Sequence, residues 1–320
     1  MMSLSLVYLK IPLNIPNFKG KLMGPLQNQF YELIKARYPM MAHGVAEARA
    51  VAPDLVDQYF EQCLNWLVYA FGKEAIEQLA DGYAFYTLEV NRAQQDYERR
   101  GRYECTTFVE ANARVYQKSK YMRAYYWGVF AILFSWSHYV ELMEFFLDRF
   151  VEKLPTGNLI EIAPGHGAWG ILAIVNQKGL ALEGWDISPT SIEFAPKMAA
   201  GAGVAGRCKY LLGDATKIEH SFGHYDAAIC SFMLEHLEAP EQFLIDFAPS
   251  LRSGALAFVT LALTAAQTDH IYEFKSESEG IRFAEAAGFE LLECRIARPQ
   301  RLRPGSYFVP RVQAMILRKK

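Results

Sequence analysis

Three glycines follow a short apolar run in Leu159-Ile-Glu-Ile-Ala-Pro-Gly-His-Gly-Ala-Trp-Gly170. Gly165, Gly167 and Gly170 let the backbone approach a ligand closely, and the helix that starts after them offers free N–H groups and the positive end of its dipole. Three acids accompany that turn. Glu161 lies inside the apolar run. Asp186 ends the next run, about 20 residues past the turn, where a carboxylate can accept hydrogen bonds from ribose hydroxyls. Asp214, in Gly213-Asp214-Ala215, follows the third run, where a carboxylate can take the exocyclic amine of an adenine. On the glycines alone, a nicotinamide dinucleotide fits as well as any other adenosine cofactor, and so does a plain tight turn.

Other residues could act on a second substrate. His236, in Leu234-Glu-His-Leu237, and His270, in Thr268-Asp-His-Ile-Tyr272, are candidate general bases if the chemistry needs one. For His236 a packing or capping role competes with catalysis. Tyrosines crowd the stretch from Tyr116 to Tyr139, with Tyr121, Tyr125, Ile132, Trp136 and Tyr139 placed on one face by helical spacing. Tyr121, Tyr125 and Tyr126 there, and Tyr272 further on, are candidate substrate contacts, since an aromatic face attracts a cation and a phenol can hold a polar group. A buried core face or a subunit contact explains the same pattern. Arg298, Arg301, Arg303 and Arg311 could bind a carboxylate in bidentate fashion, or line a solvated loop. His220 and His224 have i, i+4 spacing, but Gly223 breaks the helix and no third ligand is evident, so no metal is expected.

These residues need elements to position them. From Asn158 onward, short β-rich runs alternate with helical patterns. NLIEIA, LALEGWDI, CKYLLGDA, YDAAICSFM, ALAFVTLAL, FELLECRIA and VQAMILRKK read as strands, with helices at AWGILAIVNQKG, PTSIEFAPKMAAG, about 240–251 and a stretch ending at Gly288. This alternation specifies a doubly wound, mostly parallel sheet with helices on both faces. The last two runs leave no room for a crossover helix, so the closing strand is antiparallel. Residues 1–152 read as helical throughout. Asp54 is a plausible N-cap for a helix stopped by Gly72, further helices run 83–100 and about 108–120, and a long one covers 121–151. The expected architecture is α/β: a Rossmann-like, seven-stranded sheet over 153–320, preceded by an all-helical domain over 1–152 that acts as a lid or dimerisation unit.

Composition sets limits. The 320 residues are 52% hydrophobic, enough for a full core, and the net charge of −2 gives no basic surface for a nucleic-acid partner. Five scattered cysteines with no CxxC pair fit a reducing, cytoplasmic location. The first twenty residues lack a basic leader and a cleavage site. Ala124–Val140 carries no formal charge, but Arg123 and Glu141 bracket it at the short end of a membrane span. It reads as a buried helix or an oligomer interface, so no membrane partner is expected and a homodimer through the N-terminal helices is.

The blocks E-I-A-P-G-H-G, D-I-S, G-D-A and Y-D-x-x-x-x-x-x-x-L-E-H-L stand in an order and at a spacing that resembles the class I S-adenosylmethionine (SAM)-dependent methyltransferases. The resemblance is close over 159–263 and extends in layout over 153–320. It implies that Glu161 and the turn Ala163, Pro164, Gly165 and Gly167 hold the methionine part of SAM. Asp186 would take the ribose and Asp214 the adenine, with Ile187 and Ala215 beside them, while Ser231 and Phe232 line the site near the sulfonium. Ala163 departs from the family's usual glycine, and His166 from Thr, Ser or Cys. The expected activity is methyl transfer to the N, O or S atom of a small molecule, amino-acid-like or a secondary metabolite. Thioether or methionine S-methylation is a narrower option. An NAD(P)-dependent oxidoreductase and a non-catalytic scaffold of the same fold stand as the competing classes.

Overall fold

The structure, a computed structural model, describes residues 23–217, 222–302 and 307–320. The expectations placed on His220, on Arg303 and on the first twenty residues lie outside the described residues.

The N-terminal half is helical: α1 (Pro25–Arg37), α2 (Pro39–Val51), α3 (Pro53–Leu55), α4 (Glu61–Phe71), α5 (Ala75–Arg100), α6 (Phe108–Ala111), α7 (Ser119–Ser135) and α8 (Ser137–Phe145). Pro25, Pro39 and Pro53 each open a first turn, where a missing N–H costs nothing. A π-turn over Val56–Phe60 makes α3 and α4 one continuous helix. Ala52, not Asp54, caps it, and Asp54 falls in the first turn, where its charge favours the dipole. Gly72, at φ 84°, stops it as expected.

The expected helices over 108–120 and 121–151 are both broken. α6 starts on a Thr107–Glu110 capping box, passes into a π-turn at Asn112–Tyr116 and ends before Lys118. Between α7 and α8, Trp136 is extended at φ −117° and ψ 128°. That break removes the single aromatic face: Tyr121 and Tyr125 belong to α7, whereas Tyr139 lies past the turn. Helical periodicity counted across it has no means of registering one extended residue. The apolar stretch is covered within one chain, for Phe130 through Ser135 are all buried. No helix of the described residues is long and apolar enough to cross a membrane.

The C-terminal half is a seven-stranded sheet in the order β3-β2-β1-β4-β5-β7-β6. Its strands are β1 (Gly157–Ile162), β2 (Leu180–Asp186), β3 (Cys208–Leu212), β4 (Tyr225–Ser231), β5 (Leu251–Leu263), β6 (Phe289–Ala297) and β7 (Arg311–Lys319). The first five pair in parallel, and β7 inserts antiparallel between β5 and β6. α9 (Ala168–Asn176), α10 (Pro189–Gly201), α11 (Pro240–Phe247) and α12 (Glu277–Ala286) cover the faces. Leu159 through Ile162 are all buried, as a central parallel strand requires.

The two halves share a core. Phe146 and Phe150, just past α8, pack on Phe258 of β5 at 4.9 and 5.5 Å between ring centroids, and Trp169 of α9 meets Phe146 at 4.9 Å. The helical half is therefore packed against the sheet through Phe258 and Trp169.

Candidate active site

A cavity of about 570 Å³ opens along the carboxyl ends of β1, β2, β3 and β4, roofed by α6, α7 and the turn between them. This is the edge where open α/β sheets bind ligands, and the volume suits a cofactor with a small second substrate.

The floor is the glycine turn. Gly165 and Gly167 lie at φ 56° and 76°, conformations costly for side-chain-bearing residues. Ala163, where the family pattern has glycine, also sits at positive φ, 54°, as does Phe232 at 53° past the end of β4. Both line the cavity, so backbone strain concentrates at the site. Asp186 organises the turn: one carboxylate oxygen accepts the Gly165 amide at 3.0 Å, the other the Ser188 amide at 2.8 Å. It is buried, and burial raises its pKa against the pull of those amides. Ser191 donates to the Gly165 carbonyl at 2.8 Å.

Glu161 sits elsewhere than expected. It does not line the cavity but lies behind the turn, accepting the Gly170 amide at 3.2 Å. A Cβ on Gly170 would fall 2.2 Å from its other oxygen, which has no partner among the described residues. Burial pushes the Glu161 pKa up to about 8, with the Asp186 charge adding to the rise. Tyr210 and Cys208 of β3 are the other titratable groups facing it. The sign follows. Below the ordinary value of 4.5, folded and unfolded chains both hold the proton. Between there and about 8 only the unfolded chain releases it. Stability therefore falls as pH rises through that window, by about 1.4 kcal/mol for each pH unit crossed. Thermal melts of the ligand-free protein should show this loss, and Glu161→Gln should flatten it. A variant with the wild-type pH slope would contradict this.

The cofactor residues expected from sequence mostly converge. Ala163, Pro164, Gly165, Asp186, Ile187, Asp214, Ala215, Ser231 and Phe232 line the cavity, whereas Gly167 does not. Asp214 is tied up locally, with Thr216 donating to it at 2.6 Å and Lys217 at 2.9 Å. Burial raises its pKa, but these bonds outweigh burial and the net shift is downward. Ser231 and the Phe232 amide meet the Thr260 hydroxyl at 3.1 and 2.9 Å, which fixes the end of β4. His166, held neutral by burial with its pKa pushed to about 3, accepts the Ala168 amide at 3.0 Å and so helps close the turn.

At the far end the helical half meets the loops after β4 and β5. Tyr116 donates to Asp269 at 3.0 Å and lies 3.2 Å from His236 Nδ1. Phe108 donates its amide to Glu238 at 2.7 Å. Tyr125 and Tyr126 line the cavity, but Tyr121 and Tyr272 do not, and Tyr272 bonds Glu279 instead. Of the two candidate bases, His236 lines the cavity. His270 is fully buried behind it, with Nδ1 on the Ala265 carbonyl at 2.8 Å. Glu235, His236 and His270 can each offer one ligand atom, all within 4.8 Å of one another, with Glu235 and His270 buried and His236 half-buried. Tyr116, Phe108 and Asp269 join the site without a motif to mark them as substrate contacts. The only sequence signal for Tyr116 and Asp269 is position, in the aromatic segment and in the Thr268–Tyr272 loop, and Phe108 has none.

Comparison with known proteins agrees with this geometry. Residues 160–259 match the methyltransferase domain family. Ajmaline N-methyltransferase of Rauvolfia serpentina is 26% identical over 108 residues, which is 34% of this chain and 36% of that protein. The match therefore spans about a third of the curated relative's length. An O-methyltransferase family protein from Burkholderia thailandensis superposes with a TM-score of 0.56 at 12% identity, covering 78% of this chain and 74% of that one. Phosphoethanolamine N-methyltransferase 2 of Haemonchus contortus, solved with S-adenosyl-L-methionine, gives 0.50 at 12% identity, covering 68% and 60%. Residues 160–259 thus match a methyltransferase domain, for which SAM is the expected cofactor. The residues fit that cofactor: a strained glycine turn, a buried acid at the end of β2 that both braces the turn and faces the cavity, and room beyond them.

Proposed function

We propose that this protein transfers a methyl group from SAM to a small-molecule acceptor. The observation that carries the reading is the continuous cavity joining the Asp186-braced glycine turn to an acceptor end walled by Tyr116, Tyr125 and Phe108. Bound there, SAM supplies a methyl on a sulfonium, which is already an activated leaving group. The chain's own work is then to position and to exclude water. Tyr139 stacks on Phe232 at 5.2 Å and holds that ring at the mouth of β4. α7 brings Tyr126 over Gly165, so the helical half acts as the lid. Where the acceptor must lose a proton, His236 is placed to take it, with Tyr116 and Asp269 orienting its imidazole. No lysine or arginine but Lys217 lines the cavity among the described residues, which favours small acceptors over nucleic acid. Isothermal titration tests the reading: S-adenosylhomocysteine should bind and NADPH should not. The reverse result would make the protein an oxidoreductase, and binding without methyl transfer to any amine, hydroxyl or thioether probe would make it a scaffold.

A further inference from the structure

We infer that the acceptor end of the cavity is a subsite for a cationic amine, with Asp269 as its counter-charge and Tyr116, Tyr125 and Phe108 as aromatic walls. This rests on the methyltransferase reading and names the acceptor class within it.

Asp269 is 2% exposed, yet it lines the cavity. A buried carboxylate is costly unless it is paired. Its partners here are the Tyr116 hydroxyl at 3.0 Å and the His236 imidazole at 3.5 Å, with no lysine or arginine within ion-pair reach among the described residues. The only ammonium lining the cavity among the described residues, that of Lys217, is held by Asp214. An anionic acceptor would thus find a second anion, Asp269, and no cation to offset it. A neutral one would leave the carboxylate with only the Tyr116 hydroxyl and the His236 imidazole beside it.

The walls point the same way. Tyr116 and Phe108 lie face to face, 6.1 Å apart at 24°, and Tyr125 lines the same cavity. Ring faces attract ammonium groups, and more strongly where the cation is desolvated. Burial, and then the Asp269 charge, holds the Tyr116 and Tyr125 hydroxyls well above their ordinary range. They remain neutral phenols, which can donate and stack but do not serve as bases.

The chemistry suits this arrangement. A protonated amine first gives one proton to His236. The freed nitrogen lone pair then forms the N–CH3 bond while the pair of the methyl–sulfur bond returns to sulfur. Unit positive charge moves from sulfur to nitrogen, toward Asp269. A carboxylate fixed beside the atom where charge develops stabilises the transition state more than the neutral amine.

Three probes of one shape separate charge from fit: tetramethylammonium, tert-butanol and pivalate. Titrated by NMR into the free protein and into protein saturated with S-adenosylhomocysteine, tetramethylammonium should bind at least about tenfold more tightly than pivalate, a difference typical of one buried charge contact. Asp269→Asn should remove that preference and leave S-adenosylhomocysteine affinity within about twofold. Tyr116→Phe, which keeps charge and ring face, should retain it. Equal binding of the three probes, or a preference that survives in Asp269→Asn, overturns the inference. The wild-type series decides even if Asp269→Asn misfolds. Failure of S-adenosylhomocysteine to bind overturns the methyltransferase reading instead, while the ammonium preference is still read on the free protein.

Discussion

Asp186→Asn is expected to weaken S-adenosylhomocysteine binding by about 100-fold or more, the equivalent of roughly 2.7 kcal/mol. The carboxylate does two jobs at once. Both oxygens accept backbone amides, one from Gly165 in the turn and one from Ser188 at the start of α10. Hydrogen bonds to a charged group contribute about 1.5–3 kcal/mol each. An amide at this position has one acceptor oxygen, and its NH2 must face one of the two N–H groups. The turn then loses an anchor in a segment already at positive φ. The same side chain lines the cavity, so a charge facing the cavity is lost as well. Asp214→Asn offers the internal comparison. That acid also lines the cavity, but its bonds run to Thr216 and Lys217, outside the glycine turn. Its loss should cost about tenfold or less. Titration calorimetry on both variants, with melting curves to show that each is folded, gives the order. An Asp214 effect equal to the Asp186 effect, or an Asp186→Asn affinity within threefold of wild type, would be incompatible with this account.

What the sequence disclosed and what it hid have physical reasons. Strands β1 to β7, their order of appearance and the antiparallel closing strand were legible because each is a β-rich run set off from the helical patterns around it, most of them by a neighbouring Gly or Pro. Asp186 ends β2 and Asp214 follows β3 by two residues, so their places at the cavity edge were legible from where those strands stop. Glu161 was different. Its place in the motif put it with the cofactor, but a mid-strand residue points to one face of the sheet, and here that face lies under Gly170 rather than toward the cavity. The helical half was legible as helix and little more. Periodicity runs through the break at Trp136, because one extended residue changes direction without changing composition. The acceptor end was the least visible part. Tyr116, His236 and Asp269 are far apart in the chain and meet only through the packing of three separate segments. No spacing rule connects them. Residue type alone puts Tyr121 at the site with Tyr125, its neighbour on the same helix, yet Tyr121 falls outside it.

The crossing of α5 and α7 tolerates no side chain, so Gly128→Val should destabilise the protein by about 3 kcal/mol or more. α5 and α7 meet at Gly82 and Gly128. A Cβ on Gly128 would lie 2.3 Å from the Tyr86 Cβ and 2.6 Å from the Gly82 carbonyl oxygen, and one on Gly82 would lie 2.4 Å from the Trp127 Cβ. These neighbours are backbone or the first atom of a side chain, so rotamer changes cannot clear them and the helices must separate. Opposing this, removing a mid-helix glycine gains about 1 kcal/mol in helix propensity relative to alanine, and less for a β-branched residue. The steric term is the larger, so the sign is destabilising. Separation would also move Tyr126, two residues earlier on α7, whose ring lies 3.2 Å from the Cβ position of Gly165. Cofactor affinity should therefore fall along with stability, although Gly128 itself does not line the cavity. Gly206→Ala is the control, since its Cβ would meet nothing within 4 Å, and it should stay within about 0.5 kcal/mol of wild type. Urea melts and S-adenosylhomocysteine titration read both effects. If Gly128→Val matches the control in stability, the α5–α7 crossing is not what holds α7 in place. If it loses stability but keeps full affinity, α7 and the glycine turn are not coupled through Tyr126.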